Sequence, residues 1–282
     1  MGVEAMTHQN MTTFSSIGDV MKEKLVEVDE VCEVHEINLV TAFGREPVCT
    51  ECTREKINEE NNQMLTEMTA VHYKKHTYDW LKEKSIFLDD SLKSASFDSY
   101  RTEDNETEFN KNKALEIARE YYKGAKYNTI FTGKAGTGKS HLAMSMLKVV
   151  NEYSEPYRKC IFVSLDELMR RIKDSFSNGQ SYYTEQRMID LLTEADLLVL
   201  DDLGAETGAV TTDRTATDFT TRTLYAIING RMNKPTIITT NLSSKDMAKM
   251  YDSKLISRMF RGAEGHVIKF EKTNDKRIKV DF

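Results

Sequence analysis

Residues 127–150 read YNTIFTGKAGTGKSHLAMSMLKVV, a short apolar run, a glycine-rich loop and a stretch with helical periodicity. Gly133 to Ser140, GKAGTGKS, satisfies the P-loop pattern G-x-x-x-x-G-K-[ST]. Glycines let the backbone curl its N–H groups around phosphate oxygens with little steric opposition. Leu142, Ala143, Met146, Leu147 and Val150 form the predicted buried stripe of the helix that follows, whose positive N-terminal end faces that anion. The expected ATP-binding residues are therefore Gly133, Lys134, Ala135, Gly136, Thr137, Gly138, Lys139, Ser140 and His141. Lys139 is expected at the β and γ phosphates and the Ser140 hydroxyl on Mg²⁺. The strand–loop–helix setting separates this reading from a glycine-rich turn that binds nothing.

A second apolar run, ADLLVLDDLG at residues 195–204, ends in two carboxylates, as a Walker B strand does. Asp201 is placed to hold Mg²⁺ through water, and Asp202 to orient or activate the attacking water. Aspartate at the second position is shorter than the glutamate commonly found there, so slow turnover or a partner's contribution is expected. A third strand, PTIITTN at residues 235–241, ends in polar residues, and Asn241 lies where its amide can contact the γ-phosphate or the attacking water. The fold implied is α/β, a P-loop NTPase with a parallel sheet. Phe97 and Tyr127 are candidates for contact with the base.

Three of the four cysteines lie near the start. Cys32 and His35 form C-x2-H, Cys49 and Cys52 form C-x2-C, and thirteen residues separate the pairs. That spacing suits two knuckles closing one tetrahedral zinc site, with Gly44 and Pro47 turning the chain between them. A ribbon this small buries too little apolar surface to fold alone, so the metal would supply its folding energy. Reduced surface thiols beside an unrelated histidine are the alternative. Cys160 begins the apolar run CIFVSL and reads as a buried strand residue.

Residues 1–95 hold 10 Lys/Arg against 18 Asp/Glu, and residues 96–282 hold 29 against 27, so the first third suits a protein partner better than nucleic acid. Three prolines and thirteen glycines in 282 residues exclude a collagenous chain and favour long helices. No apolar stretch approaches the ~18 residues of a membrane span and the start lacks signal-peptide character, so a cytoplasmic protein without a membrane partner is expected. Residues 51–84 lack Gly and Pro and predict one long or broken helix, with Ile57, Met64, Leu65, Met68, Val71 and Tyr78 loosely on one face, expected to pack within the chain. The polar stretch after residue 90 reads as a linker anchored by Phe97 and Tyr100, which sets the expected boundary near residue 95: 1–95 a zinc-binding domain with helical linker, 96–282 the ATPase domain.

GKAGTGKSHLA, LLVLDDLG, IITTNLS and ISRMF, in this order, resemble the AAA+ ATPases of the DnaC/DnaI helicase-loader group over about residues 86–280. The Cys/His module is similar to the zinc-binding N-terminal domain of DnaI-type loaders. The resemblance implies a five-stranded parallel AAA+ core without a separate lid domain. It also implies an ATPase that loads a hexameric replicative helicase onto single-stranded DNA and self-associates through its ATPase interfaces. Asn241 matches the sensor 1 position, Arg258 in SRM the arginine finger that reaches a neighbour's γ-phosphate, and Arg277 in NDKR an arginine near the family's C-terminus. Residues 163–195 fall where the clade carries an insertion; Arg170, Arg171 and Lys173, with Phe176, Tyr182 or Tyr183, are the candidate contacts to single-stranded DNA.

Two other readings stay open. An IstB-like transposition ATPase shares these motifs and would act on duplex DNA, and an adaptor would bind ATP as a structural ligand without hydrolysing it. The Cys/His module favours the loader.

Overall fold

The computed structural model describes residues 25–42, 44–207 and 217–276. The expectation for Arg277 lies outside the described residues. The chain divides into two compact units, Met1–Val71 and His72–Phe282.

In the first unit β1 (Leu25–Val31) and β2 (Asn38–Ala42) pair antiparallel, and α1 (Thr50–Lys75) begins at the second cysteine pair. The long helix predicted over 51–84 breaks after Lys75, and a short helix α2 (Trp80–Glu83) follows. The expected apolar face of α1 is not buried: Ile57, Met64, Leu65, Met68 and Val71 are all exposed. The stripe is interrupted between Ile57 and Met64, where the same face carries Glu60 and Asn61.

The second unit is built on a parallel sheet ordered β4-β5-β6-β3-β7, comprising β3 (Thr129–Gly133), β4 (Cys160–Ser164), β5 (Leu197–Leu203), β6 (Thr236–Thr240) and β7 (Val267–Phe270). The central strands β5, β6 and β3 are buried along most of their length because both faces are covered. Their period of two divides them between two cores. Ile130, Ile161, Val163, Leu198, Leu200 and Ile238 join one cluster, and Phe131, Phe162, Leu197, Val199 and Ile237 the other. The first face is covered by α5 (Leu165–Asp174), α6 (Glu185–Glu194), α7 (Asp218–Gly230), α8 (Ser244–Met250) and α9 (Ser253–Met259). The second is covered by α3 (Asn105–Tyr122) and α4 (Lys139–Tyr153). All five residues of the predicted α4 stripe are at most 1% exposed. Cys160 is fully buried in β4, which pushes its thiol pKa up and makes it inert packing.

The boundary expected near residue 95 moves to Val71/His72. Ile86 donates its N–H to the Phe162 carbonyl and accepts from the Ser164 N–H, each at 2.8 Å, so this segment extends the sheet beyond β4. Trp80 and Ile86 are buried in the first core cluster. The composition change at 95 marks a surface stretch of the second unit, in which Phe97 and Tyr100 are buried anchors.

Candidate nucleotide and metal sites

β3 delivers Gly133 to the C-terminal edge of the sheet, and α4 begins six residues later. Gly138, the N-cap of α4, has φ +99°, and a Cβ there would lie 2.7 Å from the Tyr100 ring. Gly136 has φ +74°, and a Cβ there would overlap the Asp275 carboxylate. Glycine at both positions follows from handedness and from close approach.

Lys139 is 6% exposed, and its ammonium donates to the carbonyls of Gly133 (2.8 Å) and Lys134 (2.6 Å) and to Asn241 Oδ1 (2.7 Å). Asn241 Nδ2 in turn donates to Asp202 Oδ1 at 2.8 Å. The cation of the loop, the end of β6 and the end of β5 thus form one chain of contacts. Asp201 is buried and accepts from the Thr239 hydroxyl at 2.7 Å and from the Ser140 hydroxyl. Burial pushes its carboxyl up to about 6, against the pull of those two hydroxyls toward the ionised form. A divalent cation between Ser140 and Asp201 would restore the carboxylate, so the donor set fits Mg²⁺.

Asp202 is one of two non-glycine residues with positive φ among the described residues, at +59°. The β5–β6 register shifts between Leu200 and Leu203, so Asp202 sits on a bulge, where its N–H donates to the Thr239 hydroxyl at 2.9 Å. The bulge turns the Asp202 side chain toward Asn241. These groups line a cavity of about 520 Å³, shared with Tyr100, His141 and Lys276.

Sequence reading missed Tyr100 and Lys276 as lining residues. The Tyr100 hydroxyl is buried without a hydrogen-bond partner, and the Lys276 ammonium lies 4.0 Å from the centre of its ring. Lys276 also donates its N–H to the Gly136 carbonyl at 3.0 Å, so the segment after β7 lies on the loop. The two candidates for the base are misplaced. Tyr127 precedes β3, at the opposite end of the strand from the loop, and stacks on His266 at 3.5 Å. Phe97 is buried in the core beneath α4. The His141 ring is directed to the Ser96 carbonyl (2.9 Å) and the Ser99 hydroxyl (3.2 Å), fastening α4 to that segment.

Arg258 lies elsewhere. Asn128, just ahead of β3, donates its amide to the carbonyls of Arg258 (3.2 Å) and Met259 (3.0 Å). The P-loop begins at the other end of that strand, roughly 16 Å away at ~3.3 Å per residue. The Arg258 guanidinium packs over Tyr225 at 4.7 Å and donates to Asn229 Oδ1 at 3.2 Å. Arg170 and Arg171 both pair with the buried Glu167, and Arg171 also reaches the Tyr183 hydroxyl.

In the first unit the side chains of Cys32, His35, Cys49 and Cys52 converge, with all ligand atoms within 4.8 Å of one another. Cys32 Sγ lies 3.7 Å from Cys52 Sγ, and His35 Nδ1 lies 3.3 to 3.9 Å from the three sulfurs. A tetrahedral ion with metal–sulfur bonds of about 2.3 Å and a metal–nitrogen bond of about 2.0 Å has edges of roughly 3.5–3.8 Å, so the cluster has the right size for Zn²⁺. Backbone N–H groups of His35 and then Val34 hold the Cys32 thiol down to about 6, favouring the metal-binding thiolate. Glu55 bonds the other nitrogen of His35 at 3.2 Å, which fixes the ring with Nδ1 toward the sulfurs.

A family model for IstB-like ATP binding proteins matches residues 65–271. The chain belongs to this family. Family membership makes the cavity at Lys139 part of an ATP-binding core. Among curated proteins, the replicative helicase loader DnaC of Escherichia coli K12 is 29% identical over 174 residues, which is 60% of this chain and 64% of that one. The match thus spans somewhat less than two thirds of that relative. The uncharacterized protein YdaV of the same organism is 32% identical over 114 residues, 40% of this chain and 43% of that one. Among solved structures, DnaI matches with a TM-score of 0.50 at 19% identity, covering 66% of this chain and 95% of DnaI. A putative primosome component of Streptococcus pyogenes serotype M3 matches with a TM-score of 0.50 at 18% identity, covering 67% and 92%. These establish the fold of the IstB-like member, a five-stranded parallel P-loop core. Among the described residues no helix is long and apolar enough to cross a membrane.

Proposed function

We propose that this chain is an ATP-hydrolysing loader that places a hexameric replicative helicase on single-stranded DNA in the cytoplasm. The observation that carries the reading is the separation of Arg258 from its own P-loop by the length of β3. A guanidinium there can serve an ATP site only on another copy, so the site is completed by self-association through the ATPase units. Similarity to DnaC supplies the helicase as partner. The Cys/His module, with Zn²⁺ held by Cys32, His35, Cys49 and Cys52, is the part we assign to gripping it.

In this reading the P-loop N–H groups and Lys139 bind the triphosphate, and Lys139 exchanges its carbonyl contacts for phosphate oxygens. Ser140 and Asp201 hold Mg²⁺, which when bound neutralises charge developing on the phosphates. Asp202 accepts a proton from, or orients, the attacking water, and Asn241 holds Asp202 and Lys139 in register. Arg258 of a neighbour stabilises the charge on the transferred phosphoryl group. ATP bound between subunits favours the assembled, gripping state, and hydrolysis loosens it. Arg170 and Arg171 are engaged with Glu167, so DNA contact here falls mainly to Lys173 near the end of α5 and to the exposed Phe176 in the turn that follows.

The family's name equally fits a transposition ATPase acting on duplex DNA, which shares the same core. Pull-down of the host's replicative helicase with Mg·ATP, followed by a helicase-loading assay on single-stranded circles, tests the choice. Absence of helicase binding together with ATP-dependent filaments on duplex DNA would reverse it. ATP binding with no phosphate release under any DNA condition would leave an adaptor.

A further inference from the structure

Beyond Asp202 the chain makes a turn that the chemistry above does not use. Gly204 donates its N–H at 2.8 Å to the carboxylate of Glu206, whose other oxygen accepts from the Tyr251 hydroxyl. Glu206 is 6% and Tyr251 4% exposed. Burial pushes the Glu206 carboxyl pKa up, and the Tyr251 hydroxyl and the Gly204 N–H pull against it. A buried carboxylate held by such bonds contributes little to stability compared with an apolar pair, and what the bonds fix is the position of the turn at Gly204 relative to Tyr251.

The geometry joins two functional parts. Gly204 lies two residues beyond Asp202, just after the bulge that gives Asp202 its positive φ. Tyr251 closes α8 with its N–H on the Met247 carbonyl, and Asp252 caps α9 by accepting from the Lys254 N–H at 2.7 Å. α9 then carries Arg258 toward the far end of the sheet, while Leu255 and Met259 are fully buried against the core. α9 is thus a short rigid rod whose first end is tied to the ATP-site turn and whose last turn bears the arginine.

We propose that Glu206 and Tyr251 are positioning residues that couple the turn at Asp202 to α9, so that the state of one protomer's ATP site sets the Arg258 it offers to the next protomer. This rests on the trans role of Arg258 proposed above. Coupling runs within one chain by hydrogen bonds from Lys139 through Asn241 to Asp202, along the backbone through Leu203 to Gly204, and by hydrogen bonds again to Glu206 and Tyr251.

Mixtures of full-length variants test it. Arg258→Ala keeps an ATP site but offers no arginine; Asp201→Asn offers Arg258 but turns over nothing itself. Their mixture is expected to regain ATPase activity that neither shows alone. If it does not, the trans role fails and the coupling falls with it. Placing Tyr251→Phe in the Asp201→Asn donor is expected to lower the regained kcat by about five- to tenfold, with KM for ATP unchanged. Glu206→Gln in the donor, whose carbonyl accepts from Gly204 and whose amide donates to the Tyr251 oxygen, is expected to keep recovery within about twofold. Equal recovery with and without Tyr251→Phe overturns the coupling while leaving the trans role intact.

Hydrogen exchange on the full chain guards against a folding defect. A non-hydrolysable Mg·ATP analogue is expected to protect peptides from the P-loop and from residues 253–259 in the wild-type chain. In Tyr251→Phe only the P-loop peptide should respond. Protection of α9 that survives in Tyr251→Phe, or is missing from the wild type, overturns the proposal.

Discussion

Lys139 Nζ and Asn241 Oδ1 stand 2.7 Å apart, joining the loop after β3 to the end of β6 through a contact across 102 positions of sequence. The same amide bonds Asp202, so one side chain registers both the phosphate-binding cation and the carboxylate assigned to the water. Asn241→Ala removes both bonds and leaves the strand core untouched. We expect kcat to fall about 10- to 100-fold, with ATP affinity changed less than about threefold. Steady-state kinetics beside equilibrium nucleotide binding measure this, and equal losses in both would show that Asn241 serves ground-state binding.

Asp202 trades stability for position. A non-glycine residue at φ +59° costs roughly 1 kcal/mol, and Asp202 also repels the buried Asp201. Asp202→Gly is expected to raise the thermal midpoint of the nucleotide-free chain by a few degrees while abolishing hydrolysis. A lowered midpoint would mean that the Asn241 contact outweighs the strain.

Much of this site was legible because its signals are short and contiguous: GKAGTGKS, LLVLDD and the strand ending at Asn241 carry their own periodicity and breakers. The Cys/His cluster is legible for the same reason, since its two residue pairs each have local spacing. What escaped depends on contacts distant in sequence. Ile86 joins the sheet only because Phe162 and Ser164 present an open edge, so composition placed the boundary some twenty residues late. Tyr127 looked available for a base, yet its position before β3 puts it at the wrong end of the strand. Glu206 and Tyr251 are 45 residues apart in unremarkable segments. Arg231, in NGRMNK, belongs to no motif that marks it as buried.

Arg231 is 2% exposed and donates to the carbonyls of Leu192, Ala195 and Pro235 and to the Thr236 hydroxyl. It gathers the end of α6 and the starts of β5 and β6. Burial lowers its pKa to about 9, which keeps it charged at neutral pH. Arg231→Met strips partners from three buried carbonyls and is expected to destabilise the second unit by about 3 kcal/mol or more, read by urea unfolding. A loss under about 1 kcal/mol would mean that water replaces the guanidinium.

The Cys32, His35, Cys49 and Cys52 cluster lies wholly within the first unit. Elemental analysis of the full chain should find about one zinc per chain, released by Cys49→Ser or a strong chelator. Removal should unfold the hairpin and abolish helicase capture, while nucleotide binding at Lys139 persists because that site draws no residue from the first unit. Loss of nucleotide binding on chelation would contradict this division of labour.

The last prediction concerns pH and the segment that lies on the P-loop. The Glu106 carboxylate accepts from the N–H groups of Glu271, Lys272 and Thr273 and from the Thr273 hydroxyl, tying the chain after β7 to the first turn of α3. Burial alone would push this carboxyl up, but those donors together hold it below the usual carboxylate range. A depressed folded pKa contributes stability that is present above the unfolded value near 4.5 and is lost as pH falls through the folded one. Because Lys276 bonds Gly136 only three residues further on, loosening this anchor frees the outer lip of the loop. Hydrogen exchange of a peptide spanning residues 271–276 should therefore accelerate as pH drops below about 4.5, after correction for intrinsic rates. In Glu106→Gln the peptide should exchange fast at neutral pH with no further acid-dependent step. An acid step that survives in Glu106→Gln would assign the transition to another carboxylate.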